Sequence, residues 1–457
     1  MTQTPSAQSP RIGQFLPFGV HRSMSFLLIR APGVLLALLL CLSSAALPVV
    51  QAATTATAAP TAPVTDDQGI TPQSIRIGMS AAFHGASRNL GSELYRGAAA
   101  YFNDVNQRGG VHGRKIELIA YDDSYAPEKA TKNTLQLMNN DKVFLLFNYV
   151  GTPTVTRVLP LLKKYQAQHY YLFFPFTGAE PQRQLPYSQL AFNLRASYKQ
   201  ETAGLVSHLV DQGHKRIAVL YQADAYGRSG WVGIRDALAA RGLNIEIEAT
   251  YKRGTRFSDS LDAQAAVIES AKPDAVICIG SYAASAAFIR DARRAGLTMP
   301  IANISFSSSL STLSLLKKAG LEDGRDYTQG LVTSDVVPST ESTNLASVKQ
   351  YRAVMDREHI MPPANLIDKE YVPFQYSDIS LEGFLNAKLL VEILERLGDH
   401  PTRDAIAAVT RKIHDFDLGT GSPVSFVEDN QASDSVYYNT IKNGQLVPLS
   451  DWSGWLK

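Results

Sequence analysis

The chain has 457 residues with 44 basic and 42 acidic side chains. That length exceeds what one hydrophobic core comfortably fills and predicts two domains. The near balance of charge excludes the broad basic face of a nucleic-acid binder. Even the small positive excess sits in the first residues. Arg11, Arg22 and Arg30 come before any acidic residue and before the apolar stretch 34–42. Val50-Gln51-Ala52 follows, a small-residue site of the kind signal peptidase cleaves, so residues 1–52 read as a signal peptide. An uncleaved anchor helix is the alternative, but the run is short and interrupted by Ser43 and Ser44. Met24 offers a second start, and Cys41 follows Leu40 rather than the small residue a lipoprotein site needs. Without the three leader arginines, formal net charge passes from +2 to −1. One cysteine then remains, Cys278, inside the apolar run 275–279, where it reads as a small buried hydrophobe. Residues 53–69, rich in Ala, Thr and Pro, read as a disordered lead-in.

From Ile70 onward, short apolar runs alternate with helical patterns. Strands are predicted from Ile75 (IRIGM), Lys115 (KIELIAY), Val143 (VFLLFNY) and Tyr170 (YYLFFPF). A second set starts at Arg216 (RIAVLY), Ile245 (IEIEATY), Ala275 (AVICI) and Pro300 (PIANI). A strand about every thirty residues is the spacing of a βαβ unit. Thr152 with Pro153 predicts a helix start, and Ser197 with Gln200 a capping box. Gly109, Gly213, Gly242 and Gly296 each close a helical stretch. Two runs of four units predict an α/β chain of two doubly wound, parallel-sheet lobes.

Ligands of such sheets bind beyond the carboxyl ends of the strands, which directs attention to the loops there. No GxSxG, HExxH, CxxC or GxGxxG occurs, and the nine histidines are scattered. Nothing therefore suggests an enzyme, a metal site or a cofactor. The loops carry hydroxyls, glycines and aromatics instead. Gly151-Thr152-Pro153-Thr154 lies between a strand and a helix start, where free N–H groups favour an anion. Phe176-Thr177-Gly178 repeats the arrangement one unit later. Each threonine either contacts ligand or only caps its helix. Tyr226 and Tyr282 follow strands of the second set, facing the opening or packing under their own helices. Phe83 and Tyr149 are candidates for the same cavity wall, with core packing expected for one of them. Asp122-Asp123 reads as a turn, with cation binding as the alternative.

The order of motifs resembles the leucine/isoleucine/valine-binding family, the type I periplasmic binding proteins of ABC importers. The carrying residues are Ile77 to Ala81, Gly97 to Val105, Gly109-Gly110-Val111-His112-Gly113-Arg114-Lys115 and Tyr121-Asp122-Asp123. Tyr226-Gly227 and Asp291-Ala292-Arg293-Arg294-Ala295-Gly296-Leu297 complete the set. The resemblance implies two lobes joined by three crossovers near 194–197, 332–334 and 421–424. Lobe 1 would then comprise 70–196 and 334–422, and lobe 2 would comprise 197–333 and 423–457. It also implies a ligand carboxylate held at Thr152 and Thr177, with Tyr226 and Tyr282 opposite. Amino-acid binders of the family place an acid where this chain has Ser305-Phe306, so an ammonium partner is missing there. A second family acid corresponds to Gln200, with Glu201 adjacent.

The expectation is a periplasmic, monomeric solute-binding protein without cofactor or nucleic-acid partner. It would close on a small carboxylate-bearing molecule and dock on an ABC permease. A ligand sensor of the same fold, signalling to a partner protein, is the alternative.

Overall fold

The computed structural model describes residues 67–426 and 430–455. The expected signal peptide and most of the lead-in lie outside them. Among the described residues there are eleven α-helices and twelve strands, the strands arranged in two sheets. In the first, β1 (Ser74–Ala81) pairs in parallel with β2 (Lys115–Asp122) and β3 (Leu145–Phe147). The short β4 (Leu172–Phe173) and β5 (Ala191–Phe192) extend that sheet in the order β2-β1-β3-β4-β5. Between these strands run α1 (Arg88–Gln107), α2 (Pro127–Asn139) and α3 (Thr152–Lys164).

α4 (Tyr198–Asp211) leads into the second sheet. Its parallel strands are β6 (Ile217–Gln222), β7 (Ile247–Tyr251), β8 (Ala275–Ile279), β9 (Ile301–Asn303) and β10 (Leu331–Asp335). The helices between them are α5 (Ala225–Ala239), α6 (Asp262–Ser270), α7 (Tyr282–Arg294) and α8 (Ser309–Asp323). All of β8 is buried, as an apolar run covered on both faces requires, and Cys278 is buried within it.

After β10 the chain returns through α9 (Ala346–Glu358), α10 (Asp378–Leu397) and α11 (Arg403–Thr410). α10 lies directly on α1. A Cβ on Gly97 would stand 1.7 Å from the carbonyl of Ser380, and one on Gly383 2.2 Å from that of Leu94. Two glycines, one from each helix, thus let the backbones touch and bind this late segment to the first sheet's core. The chain ends with β11 (Tyr437–Lys442) and β12 (Gln445–Pro448), which add antiparallel strands to the edge of β10.

Each sheet thus holds the four expected parallel strands and more. Val332 to Ser334 lie within β10, and the first-sheet core resumes at Val337. Val424, Phe426 and Ala432 still pack in that core, with Asn193 bridging Gln431 in parallel. The segment after α11 has no apolar period, so the sequence alone gave no sign of this attachment. Ser197 and Gln200 form the expected capping box, by bonds of 3.2 and 2.7 Å. The four helix-closing glycines all adopt positive φ.

Candidate functional site

The loops beyond β3 and β4 are zipped together. Gly151 donates its N–H to the Phe176 carbonyl at 3.1 Å, and Phe176 donates to Tyr149 at 2.7 Å. That pairing brings Thr152 and Thr177 face to face, with their hydroxyl oxygens 2.7 Å apart and both residues buried. The residue expected as helix cap is displaced by one. Gly151, at φ +100°, caps α3, and Thr152 opens it with Pro153 following. The Thr152 hydroxyl is therefore released from capping and meets Thr177.

Glycine is required at both loop positions. A Cβ on Gly151 would fall 2.1 Å from the Tyr125 ring, and one on Gly178 2.6 Å from the Tyr198 ring. Tyr125 is set by the turn after β2. There Asp122 accepts from the amides of Phe83 and Ser124, and Asp123 from the amide of Tyr125. The acidic pair thus serves the turn. Burial pushes the Asp123 carboxyl up to about 7, against the opposing hydrogen bond from Ser80.

From the other sheet, Asp224 caps α5 by accepting from the amides of Tyr226 and Gly227. This aims Tyr226 inward, where its phenol donates to the Gly280 carbonyl at 3.1 Å. Phe306 is the meeting point of the two sheets. Its ring centroid lies 4.5 Å from Tyr226, 5.5 Å from Phe176 and 5.7 Å from Tyr125. Tyr198 stands edge-on to Tyr226 at 5.3 Å. Gln222 Nε2 reaches the Tyr125 phenol at 3.3 Å and ties the same two sides. One hydrophobic cluster runs through Phe83, Tyr125, Phe176, Tyr198, Tyr226, Tyr282 and Phe306.

Beneath these rings lies a buried polar floor. Glu201 accepts from the Ser305 amide and hydroxyl and from the Ser334 hydroxyl. Arg195 donates to the Ser305 hydroxyl, lies 4.3 Å over the Phe176 ring and approaches Glu382 at 3.5 Å. Burial raises the pKa of Glu201, opposed by Arg195 and by the serine hydrogen bonds. Burial also pushes Glu382 up to about 7, opposed by Arg195.

Of the sequence candidates, Gly151, Thr152, Phe176, Thr177, Gly178, Tyr226, Ser305 and Phe306 come together. Tyr149 does not. Its phenol pairs with Thr134 at 3.1 Å, within the core between α2 and α3. Phe83 packs edge-on against Tyr95, and Tyr282 stands at a more open groove of about 800 Å³ with Arg88, Asn89 and Ser311. Sequence reasoning missed Tyr125, Tyr198 and Arg195. Tyr125 had a signal, since it directly follows the acidic turn. Tyr198 was hidden as the first residue of a helix whose neighbours explained the cap. Among the described residues no group of three or more His, Cys, Asp or Glu is placed to hold a metal ion.

Comparison with known proteins agrees with this architecture. The periplasmic binding protein family model matches residues 74–445. An amino acid binding protein of Pseudomonas aeruginosa is 26% identical over 282 residues, 61% of this chain and 71% of that protein. The Leu/Ile/Val-binding protein of Escherichia coli is 21% identical over 52% of this chain and 64% of its own. The crystal structure of a possible leucine/isoleucine/valine-binding protein from Rhodopirellula baltica superposes with a TM-score of 0.73 at 28% identity. It covers 87% of this chain and all of that one. A substrate-binding periplasmic protein from Ralstonia solanacearum gives 0.72 at 26% identity, covering 82% and 99%. Each of these relatives is named as a binding protein. The chain belongs to the periplasmic binding protein family, as a type I binding protein of the leucine/isoleucine/valine-binding kind and not an enzyme.

Proposed function

We propose that this protein is the extracytoplasmic capture component of an ABC importer, and that it takes a small carboxylate lacking an α-ammonium between its lobes. The lobes would be residues 70–194 with 337–432, and 197–335 with 437–455. A leader ending near Ala52 would export the chain, which would work as a monomer and present its closed form to a membrane permease. The names of its relatives favour a skeleton like that of an amino acid.

The observation that carries the ligand class is the state of Glu201. It lies beneath the aromatic cluster, and its carboxylate is already engaged by three donors from two serines, with Arg195 beside it. An ammonium in this cleft would find no free countercharge, and burying one costs several kcal/mol. The Thr152–Thr177 pair at the start of α3 suits an anion instead. A thermal-shift comparison of leucine with 4-methyl-2-oxopentanoate, and of phenylalanine with phenylacetate, tests the reading. The deaminated acids are expected to stabilise the protein more. Tighter binding of leucine or phenylalanine would overturn it.

A further inference from the structure

We propose that Tyr198 is a ligand-binding and specificity-determining residue, the third hydroxyl of the receptor that Thr152 and Thr177 begin. This inference rests on the reading of the cleft as a carboxylate site. Tyr198 is placed without freedom. Ser197 before it is extended, at φ −77° and ψ 156°, to cap α4. The Tyr198 amide donates to the Gly178 carbonyl at 2.7 Å, and its ring fills the space that a Cβ on Gly178 would need. The ring is held from the other side by Tyr226. Its phenol is thereby delivered to the hydroxyls of Thr152 and Thr177.

That phenol is fully buried and makes no hydrogen bond of good geometry. Buried hydroxyls almost always have a partner, so an unpartnered one beside two others marks a place for an acceptor. Between Thr152 and Thr177 one hydroxyl donates to the other, which leaves a single proton to offer. Tyr198 adds a second, and a ligand that breaks the threonine pair can receive all three. A carboxylate accepts at both oxygens and donates nothing, so it suits three donors. A carboxamide brings its own N–H groups against them. Arg195, three residues earlier, is buried with its Nη1 likewise unpartnered, and its charge acts on the phenol. Glu201 and Glu382 lie beside that guanidinium. Tyr198 therefore reads acid against amide.

The test is calorimetric titration of wild type and Tyr198→Phe with phenylacetate and phenylacetamide, and with 4-methylpentanoate and 4-methylpentanamide. Melting curves accompany each variant. Wild type is expected to prefer at least one acid over its amide. Tyr198→Phe should weaken that acid tenfold or more while moving the amide less than twofold, with melting unchanged. Site-specific 3-fluorotyrosine at position 198, a stronger donor of the same shape, should tighten the acid. Unchanged acid affinity in Tyr198→Phe would overturn the assignment while leaving the cleft reading intact. Equal loss of acid and amide would make Tyr198 a packing residue and overturn it too. If neither acid binds wild type, the carboxylate reading itself falls and this inference falls with it.

Discussion

Glu201 accepts from both the amide and the hydroxyl of Ser305, at 2.8 and 2.9 Å, although 104 residues separate them. The same carboxylate takes the Ser334 hydroxyl at 2.7 Å, so α4, the turn beyond β9 and the strand β10 share one anchor. Glu201→Gln would replace an acceptor oxygen by an N–H donor in front of these groups. It would also remove a buried countercharge from Arg195. A loss of about 1–3 kcal/mol is expected at neutral pH. Urea denaturation checks it, and wild-type stability would show that the anchor contributes little.

Stability should fall as pH rises toward neutrality. Asp123 and Glu382 titrate at about 7 in the folded chain, because burial disfavours their charged forms. Unfolded, they would titrate at about 4. Between those values the folded state holds protons that the unfolded state releases, so stability is greatest on the acid side and is lost through pH 7. Each group accounts for on the order of 2–4 kcal/mol at full burial. His208, whose pKa burial lowers, acts in the opposite sense when acidified below its ordinary value. The melting temperature is expected to fall as pH rises from about 5 to 7. Glu382→Gln should flatten that slope, and an unchanged slope would contradict the assignment.

Gly178→Ala should damage both the fold and the site. The added Cβ meets both the ring and the amide of Tyr198 at 2.6 Å. A loss of about 1–3 kcal/mol is expected from overpacking, together with at least tenfold weaker ligand binding as the Tyr198 phenol moves off the threonine pair. Parallel melting and titration of the variant separate the two effects.

Ligand should compact the protein in solution. The two sides meet through Phe306 against Phe176 and Tyr125, and through Gln222 to Tyr125 and Asn89 to Ser311. A ligand that bridges both sides would hold these contacts closed, whereas the free protein would open more often. Small-angle scattering at saturating 4-methyl-2-oxopentanoate or phenylacetate is expected to give a smaller radius than the free protein. An unchanged radius with binding shown independently would exclude a hinge.

Most of the architecture is legible in the residues because parallel strands announce themselves as apolar runs. β1, β6 and β8 are of this kind, and each lies where its run predicts. The two-residue β5 and the hairpin β11–β12 carry too little pattern to stand out. At the site, the hydroxyl loops could be found from the strand-end rule alone. Tyr149 misleads because the partner of Phe176 across the two loops is Val150, one residue on, while the Tyr149 ring turns toward Thr134. That register is set by the pairing of the loops and leaves no mark in the local sequence. Arg195 and Glu201 escape for another reason. Their significance lies in who meets them across the crossovers, and pairing over a hundred residues leaves no local mark.

The burial of Cys278 has a practical side. Its thiol is sealed in an interior strand of the second sheet, and desolvation raises its pKa well above the usual thiol value. Maleimide dyes will pass it by in the native protein. Cysteines introduced at the exposed Lys318 and Lys369, on opposite banks of the groove beside Tyr282, would then be the reactive handles of the described chain. A donor and acceptor dye attached there would turn the molecule into an optical gauge of its own opening, with the native cysteine left in place.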